Sequence, residues 1–456
     1  MKHPYQQLLS NKSGTLLFTA VQNHIQIYSL SEQTRLISSW HDELKSQHVN
    51  AQIQKRTGRA TTSARIHNYI KSLALSSDEQ YLVATADSDK SVLIFDISNG
   101  GHLQLIKRQP LPKRPSAVTI WRDVVLVADK FGDVYRVKLD SDAPVSEDKL
   151  ELVLGHVSML NCLVVAQSGQ GKTFLITGDR DEHIRVTNYP KSYVIRGFLF
   201  GHQEFVSSLK LLSGADSHES PGSVLVSGGG DTAVFFWDWY EGKLLDSIDL
   251  VDYLGGYLND FHLSSASDLV AKREMLKSET TETNEKEDEK QNQTNDDNDN
   301  NDNDNDYDND NDNGNDDDVE EEEKQKYEIS VSKIDTLTID NQQYIVVLVE
   351  NTACLIILQF DLEEKKAWLA QIVKLSHAAV TFAVANDKLV VSLDAQNNDI
   401  LQMYKFDAGQ FVVDDDDEEG KNGVKCIVES DPVDLDEREW GSNLFTLASL
   451  RKRGEH

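Results

Sequence analysis

Cysteine is scarce in this chain: Cys162, Cys354 and Cys426 are spread over 456 residues. An odd number of widely separated cysteines argues against a disulfide framework and a cysteine-rich zinc site, and it favours a reducing compartment. The sequence also lacks any run of about 18 apolar residues, and its N-terminus, MKHPYQQLLSNKSG, lacks an apolar signal region. We therefore predict a protein of the nucleus or cytosol with no metal site and no membrane contact.

Basic residues are outnumbered, because 45 lysines and arginines stand against 77 aspartates and glutamates, for a formal net charge of −32. This balance excludes a chain that is basic throughout, as many nucleic-acid-binding domains are. Much of the acid is local, since residues 279–323 hold 22 acids and two lysines, a charge of 2 − 22 = −20. The remainder is much closer to neutral, so the composition still allows a basic surface elsewhere.

The apolar pattern is that of an all-β protein. Short runs of β-branched and aromatic residues alternate with Gly, Asp, Ser and Asn turns, and sustained helical spacing is almost absent. Seven pairs of such runs, each pair joined by a tight polar turn, begin at residues 15, 80, 123, 173, 223, 343 and 388. Gly-His and Trp-Asp signals accompany them. These features predict a seven-bladed WD40 β-propeller.

The fifth pair carries the fullest set of WD40 residues. In a blade, an Asp in the turn before the third strand can accept hydrogen bonds from the turn backbone and from an upstream Gly-His imidazole. The residues placed to form this structural set are His202, Ser227, Asp231 and Trp237.

Two other units repeat part of the set. Asp89 and Asp181 each lie six residues before the slot where Trp is commonest, as Asp231 does. In the fourth unit, Gly155-His156 precedes Asp181, so we expect His156 to hydrogen-bond within its own blade.

Three segments interrupt the repeats. Residues 39–64 are polar and are predicted to form an irregular excursion between the first two blades. Residues 264–327, rich in Asp and Asn, cannot bury enough apolar surface to fold and are predicted to be a disordered acidic insertion. Blades one to five would then occupy residues 1–263, and blades six and seven residues 328–413. The segment 414–456, acidic and then basic, is expected to close on the propeller.

Six strings are more specific than a generic blade. They are ATADSDKSVLIFD (84–96), KRPSAVTI (113–120), VADKFGDVY (127–135), LGHVSML (154–160), TGDRDEHIRVTNYP (177–190) and FLFGHQEFVSSL (198–209). With them, the chain resembles the WD-repeat, non-catalytic subunit of the fungal tRNA (guanine-N7-)-methyltransferase, from its first residues to the terminal SLRKRGEH.

The resemblance implies a specific role. The propeller would bind a separate methyltransferase subunit as a heterodimer and hold it in a form that makes N7-methylguanosine at position 46 of the tRNA variable loop. That partner would bind S-adenosylmethionine, so this chain would hold no cofactor and would not be an enzyme. Contact with tRNA is expected through the complex.

The resemblance also implies a partner-binding surface on the loops of the third to fifth blades. The matching positions are Lys130, Asp181 and Arg185, and Arg180 adjoins Asp181. An Arg or Lys at a blade rim can form a charge-assisted pair with a partner carboxylate. Two alternatives stay open: Asp181 serves only the turn of its blade, and Arg185, which alternation points away from its apolar neighbours, lies on a solvated strand face.

One basic segment is a candidate for RNA contact. It contains no acid, and its cations are Lys55, Arg56, Arg59, Arg65 and Lys71. They could bind tRNA phosphates with release of counterions, or they could belong to a solvated loop. More cations follow in the next connection between blades, at Lys107, Arg108, Lys113 and Arg114.

Two function classes remain. The specific strings favour a dedicated methyltransferase subunit, whereas a general WD40 scaffold in another assembly is supported by fold alone. An independent enzyme is not expected, because the sequence contains no metal-ligand spacing and no nucleophile elbow.

Overall fold

The computed structural model describes residues 2–31, 33–44, 69–87, 89–140, 142–212, 224–263, 327–395, 399–414, 418–434 and 444–452. The chain divides into two compact units, one of Met1–Tyr257 with Ile329–His456 and one of Leu258–Glu328. Within the described residues, the first unit contains seven four-stranded antiparallel sheets, each built from strands consecutive in the chain. The prediction of a seven-bladed propeller is confirmed.

The first four blades follow in chain order. Blade one comprises β1 (Gln7–Ser10), β2 (Leu16–Val21), β3 (His24–Ser29) and β4 (Arg35–His41). Blade two comprises β5 (Ile70–Leu75), β6 (Tyr81–Ala86), β7 (Ser91–Asp96) and β8 (Gln104–Pro110). Blade three comprises β9 (Pro115–Trp121), β10 (Val124–Asp129), β11 (Asp133–Lys138) and β12 (Glu151–Gly155). Blade four comprises β13 (Leu160–Gln167), β14 (Thr173–Asp179), β15 (Ile184–Tyr189) and β16 (Ile195–Leu199).

The last three blades complete the ring. Blade five comprises β17 (Val206–Leu212), β18 (Val224–Gly229), β19 (Ala233–Asp238) and β20 (Lys243–Asp249). Blade six comprises β21 (Val331–Ile339), β22 (Gln342–Val349), β23 (Cys354–Asp361) and β24 (Lys366–Lys374). Blade seven comprises β25 (Ala379–Ala385), β26 (Lys388–Leu393), β27 (Leu401–Asp407) and β28 (Gln410–Val413).

Helical elements are short. Among the described residues, the α-helices are α1 (Val251–Leu254) and α2 (Glu418–Glu429), and the 3₁₀ turns are Glu147–Lys149, Asp260–His262 and Leu447–Leu450. In the parts of the chain that the structure covers, no helix is both long and apolar enough to cross a membrane.

Packing between neighbouring blades forms the core. The first strands of adjacent blades contact one another around the central axis. The second and third strands are covered by a blade on each side, which is why β10 is buried along its whole length. Between blades one and two, Phe18 and Ile25 pack with Leu82 and Phe95. Each such buried side chain contributes about 1.5–3 kcal/mol, so the ring is stabilised by blade-to-blade contacts.

Both ends of the chain meet where the ring closes. Blade one takes its strands from the N-terminal end of the chain, and blade seven takes its strands from the C-terminal side. Helix α2 packs against β4 of blade one and β27 of blade seven. The Tyr5 hydroxyl donates to the Ile427 carbonyl at 3.1 Å, and Lys2 forms an ion pair with Asp434 at 3.0 Å. Side-chain contacts therefore join the N-terminal residues to helix α2 and the segment that follows it.

Two predicted boundaries are wrong. Residues 39–41, placed in the irregular excursion, belong to β4, where Trp40 packs edge-on against Phe95. Their polarity reflects the solvent side of an outer strand, and residues 45–64 of the predicted excursion lie outside the described residues. Tyr327, placed in the acidic insertion, forms a β-bridge with Leu263. A single bridging residue leaves no periodic signal in the sequence. The rest of the insertion, residues 264–326, also lies outside the described residues.

Candidate partner-binding face

One end of the propeller, here called the upper face, carries two kinds of loop. One is the turn between the second and third strands of a blade, and the other is the link from a fourth strand to the next blade. Lys130, Arg180 and Asp181 lie in such turns, and the Gly-His pairs lie in such links. Three of the predicted partner-binding residues therefore lie on the upper face of blades three and four.

In blade five, hydrogen bonds join the four residues of the WD40 set. His202 Nδ1 lies 2.6 Å from Asp231 Oδ2, and its Nε2 lies 2.7 Å from Ser227 Oγ. The Trp237 indole donates to Ser227 Oγ at 2.8 Å. The imidazole, the Ser227 side chain and the indole are buried. Water therefore does not compete for their hydrogen bonds, and the network joins the upper link to the middle strands.

In blade four, the carboxylate that pairs with the His156 imidazole is Asp179. The spacing of the repeat had indicated Asp181 for this structural position, and that assignment is wrong. His156 Nδ1 lies 3.0 Å from Asp179 Oδ2, while Nε2 lies 2.8 Å from Thr177 Oγ1. Asp179 Oδ1 also accepts the backbone N–H groups of Asp181 and His183, each at 2.9 Å. Asp179 pairs with the first residue of β13, and the residue at the equivalent position of blade five is Gly229. Because Gly229 has no carboxylate, the imidazole of blade five binds Asp231, two residues later.

Asp89 of blade two has different partners from its counterparts. Its carboxylate accepts from Ser91 Oγ at 2.8 Å and is paired with the guanidinium of Arg108. A second amino group of Arg108 lies 2.8 Å from Asp42, next to blade one. The Asp89 turn is thus held by a cation where blade five uses an imidazole.

Arg185 is buried in β15, with 8% of its surface exposed. The alternative of a solvated strand face is wrong for Arg185, because neighbouring blades cover both sides of a middle strand. Arg185 Nη1 donates to the Gly155 carbonyl at 3.0 Å, and burial lowers the pKa of the guanidinium while nearby Asp179 raises it. Arg185 therefore supports the start of the link that contains His156. Whether it also contacts a partner stays a prediction.

Arg180 and Asp181 contact the C-terminal segment of the same chain. Arg180 Nε donates to the Leu450 carbonyl at 2.7 Å, and Lys452 Nζ lies 2.9 Å from Asp181 Oδ1. Burial alone would raise the pKa of Asp181, but hydrogen bonds from Lys452 and Ser158 hold it below its ordinary value. Both side chains are thus on the upper face, and their role towards a partner stays a prediction.

The C-terminal segment, defined here as residues 444–452, also contacts blades five and six. The Glu350 carboxylate accepts the N–H groups of Leu447 and Ala448 at 2.8 and 3.0 Å. Arg451 is paired with Glu204 at 3.1 Å and donates to the Ile329 carbonyl. This segment therefore forms part of the upper face. The sequence predicted that residues 414–456 close on the propeller, but it did not indicate on which face.

Large apolar side chains are exposed beside these charges. Phe131 is 63% exposed, Phe200 is 74% exposed, and Val157 is fully exposed. Phe198 stacks on Phe200 with a centroid distance of 5.8 Å, and His183 meets the Phe198 ring edge-on. Exposed aromatic residues on a loop face are typical of protein interfaces. Their exposure leaves no signal in the sequence, although Phe131 follows Lys130 and Phe200 precedes the Gly201-His202 pair.

Four exposed cations of this region had been identified in the sequence, namely Lys71, Lys113, Arg114 and Lys130. Lys130 Nζ lies 4.0 Å from Asp87 Oδ1, and Lys71 lies beside the Tyr69 ring. The other candidates for RNA contact, Lys55, Arg56, Arg59 and Arg65, lie outside the described residues. Lys107 and Arg108 do not belong with them, because Lys107 is buried in a pair with Asp140 and Arg108 binds carboxylates.

A comparison with protein families identifies the propeller. The family model described as the tRNA methyltransferase TRM82 WD40 domain matches residues 17–151 and 143–408 of this chain. The chain belongs to the TRM82 family. This confirms the resemblance seen in the sequence.

Full-length TRM82 relatives agree with this result. Proteins named tRNA (guanine-N(7)-)-methyltransferase non-catalytic subunit TRM82 are 36% identical in Lodderomyces elongisporus and 34% identical in Meyerozyma guilliermondii, each alignment covering 100% of both chains. The protein of that name from Saccharomyces cerevisiae is 31% identical, with 100% of this chain and 99% of that protein covered. These names confirm the prediction that the chain is not itself an enzyme.

Solved structures support the fold alone. The structure of U3-55K aligns with a TM-score of 0.52 at 14% identity, covering 86% of this chain and 88% of that one. The crystal structure of RRP9 WD40 repeats gives 0.51, also at 14% identity, with 86% and 87% covered. At this identity, the likeness concerns the propeller and says nothing of a shared partner.

Proposed function

We propose that this chain binds and stabilises the catalytic subunit of tRNA (guanine-N7-)-methyltransferase, in a heterodimer that forms N7-methylguanosine at position 46 of the tRNA variable loop. The observation that carries the proposal is the full-length similarity to proteins named as the non-catalytic subunit of that enzyme. In this proposal, S-adenosylmethionine binds to the partner, and this chain supplies a binding surface and no reacting group.

The proposed docking surface is the upper face of blades three and four. We place its apolar centre at the exposed side chains of Phe131, Val157 and Phe200. We place its charged margin at Lys130 and Asp181, which lie in the upper turns of blades three and four. An apolar centre with a charged margin suits a stable complex, since buried aromatic side chains supply most of the affinity and the rim charges select the partner.

A rigid base lies under this surface. The exposed turn of blade four is held by three hydrogen bonds to the Asp179 carboxylate, from His156, Asp181 and His183. Because these groups are already ordered, little conformational entropy is lost when a partner docks. The surface could therefore hold a less stable catalytic subunit in one conformation.

The experiment is reconstitution from purified components. The two subunits are expressed separately and together, and guanine-N7 methylation of an unmodified tRNA transcript is measured with each alone and with the mixture. We expect this chain alone to be inactive, and we expect the mixture to elute as a one-to-one complex with higher activity and a higher melting temperature than the catalytic subunit alone.

The alternative is a general WD40 scaffold in another assembly. Failure of the two chains to co-elute would overturn the proposed function and favour this alternative. We also propose a nuclear location, which imaging of the tagged chain in yeast cells tests.

A further inference from the structure

The C-terminal segment crosses three blades at equivalent positions of the upper face. The residue directly after the second strand is Glu350 in blade six, Gly230 in blade five and Arg180 in blade four. Glu350 accepts two amides of the segment, and the Gly230 carbonyl accepts a bond from Arg451. Arg180 donates to a carbonyl of the segment at 2.7 Å. The segment therefore runs from blade six across blade five to blade four.

Packing alone does not fix this segment, because a cavity lies beneath it. The cavity occupies the upper end of the central channel and has a volume of about 380 Å³. Its lining includes Ser116, Asn161 and Ser207 from the first strands of blades three to five, and Phe445 and Leu447 of the segment. Polar contacts with the surrounding blades must therefore hold the segment in place.

Arg451 anchors the segment between blades five and six. Its side chain is 9% exposed, and its guanidinium lies 3.1 Å from the Glu204 carboxylate. The same guanidinium donates to the carbonyls of Gly230 and Ile329. These acceptors belong to the link before blade five, the upper turn of that blade and the approach to blade six. The planar guanidinium can reach all of them at once, because it carries several donors in a fixed arrangement.

Glu350 is the second anchor. Its buried carboxylate accepts the N–H groups of Leu447 and Ala448 at 2.8 and 3.0 Å. Burial raises the pKa of this carboxyl, against the opposing effect of the bonds from the segment. Removing the segment would take these bonds from a buried carboxylate, and it would separate Arg451 from its acceptors, both of which are costly. A docking partner is therefore expected to meet the segment in place.

Lys452, the residue after Arg451, reaches the upper turn of blade four. Its ammonium lies 2.9 Å from Asp181 Oδ1, and the same oxygen accepts from Ser158 Oγ at 2.7 Å. Asp181 is one of the predicted partner-binding residues. The orientation of its carboxylate therefore depends on where Arg451 holds the end of the segment.

We propose that the C-terminal segment positions the Asp181 turn for the catalytic subunit, and that Arg451 is the positioning residue. This inference rests on the proposed function. With Arg451 in place, Lys452 holds one oxygen of Asp181 and presents the carboxylate in one orientation to an N–H donor or cation of the partner. Without Arg451, the end of the segment loses its anchor, and the cost of ordering Asp181 falls on the docking step.

The test is a double-mutant cycle on binding. Purified catalytic subunit is titrated against the wild-type chain, Arg451→Gln, Asp181→Ala and the chain with both changes, and the four dissociation constants are compared. Arg122→Gln is the matched control, because Arg122 is an exposed arginine in the turn between β9 and β10, at the opposite end of blade three. The melting temperature of each chain shows that it is folded.

Each single change should weaken binding at least about fivefold, and the double variant should bind at most about twofold more weakly than the weaker single variant. The losses should overlap in this way because both changes remove the same contact. Arg122→Gln should bind like the wild type. If Arg451→Gln does not fold, Arg451→Lys takes its place in the cycle, because it keeps the charge beside Glu204 but lacks the planar set of donors.

Wild-type affinity of either folded single variant would overturn the inference. Losses that multiply in the double variant would do the same, because Arg451 would then act independently of Asp181. Tighter binding after loss of Arg451 would also contradict it, since the segment would then compete with the catalytic subunit. If the wild-type chain does not bind the catalytic subunit at all, the proposed function itself fails.

Discussion

His156 Nδ1 lies 3.0 Å from Asp179 Oδ2, so the imidazole of blade four binds the first aspartate of the DRDEH turn and leaves the second, Asp181, facing outwards. The two carboxylates stand two residues apart but have separate tasks. Asp179 holds the turn together, whereas Asp181 is available to surface contacts.

The two aspartates should respond differently to substitution by alanine. Asp179→Ala leaves a buried imidazole and two turn amides without their acceptor, so we expect a loss of about 2–4 kcal/mol in unfolding free energy. Asp181→Ala removes a partly exposed pair with Lys452, for which we expect a loss of at most about 1 kcal/mol. Chemical denaturation of both variants checks this, and equal losses would contradict the assignment.

Trp237→Ala should destabilise blade five. It creates a cavity in place of a buried indole and removes the donor to Ser227, which predicts a loss of about 3–5 kcal/mol. Trp368→Ala is the matched control, because Trp368 is 45% exposed on the outer strand of blade six. Thermal unfolding that is the same for both variants would argue against the network in blade five.

Arg185→Glu should destabilise the isolated chain. The substitution puts a carboxylate in a buried site beside Asp179 and removes the bond to the Gly155 carbonyl, a change of about 3–5 kcal/mol. Arg180→Glu is the control, since Arg180 lies at the surface and should keep the chain folded. Both variants are compared by melting temperature without the partner. Wild-type stability of Arg185→Glu would show that its side chain is solvated in solution.

The unfolding free energy should depend on pH through Asp431, which lies just after helix α2 where the two ends of the chain meet. Burial raises the pKa of this carboxyl from 3.8 to about 7, against the opposing hydrogen bond from the Val433 N–H and the charge of Lys2. Because the folded state keeps a proton that the unfolded state has lost, this group lowers stability as pH rises from about 4 to about 7, and its effect is then constant. The loss amounts to at most about 4 kcal/mol.

The variant Asp431→Asn should remove this dependence. Between pH 5 and pH 8, the variant should lose less stability than the wild type. Denaturant midpoints of both proteins at the two pH values measure this difference. Asp434→Asn is the control, because Asp434 is exposed and should leave the fall in stability in place. An identical pH profile for wild type and Asp431→Asn would refute the account.

The sequence predicted the seven blades because middle strands covered on both sides leave long β-branched runs, as in β10 and β22. It did not predict helix α2, whose Val424, Ile427 and Val428 follow a helical period within one short and otherwise polar segment. It also could not choose between Asp179 and Asp181, because both fall within one turn and the choice depends on where β14 ends.

The site was predicted only in part, for a related reason. Residues that act through local spacing, such as His202 and Asp231, were identified from the repeat. The contacts of Arg180 and Asp181 with Leu450 and Lys452 join residues about 270 positions apart. Such pairs leave no periodic signal. Residue type also does not show whether a phenylalanine is buried or exposed, so the exposure of Phe200 could be identified only from the folded chain.

The most direct test of the central claim is a titration of purified catalytic subunit with this chain carrying Phe131→Asp and Phe200→Asp. A charged side chain in the apolar centre of the docking surface should weaken binding at least about 30-fold, corresponding to roughly 2 kcal/mol or more. Tyr193→Asp, at an equally exposed aromatic residue on the opposite end of blade four, should bind like wild type. Wild-type affinity of the Phe131→Asp, Phe200→Asp double variant, with the chain folded, would contradict the claim that the upper face of blades three and four receives the catalytic subunit.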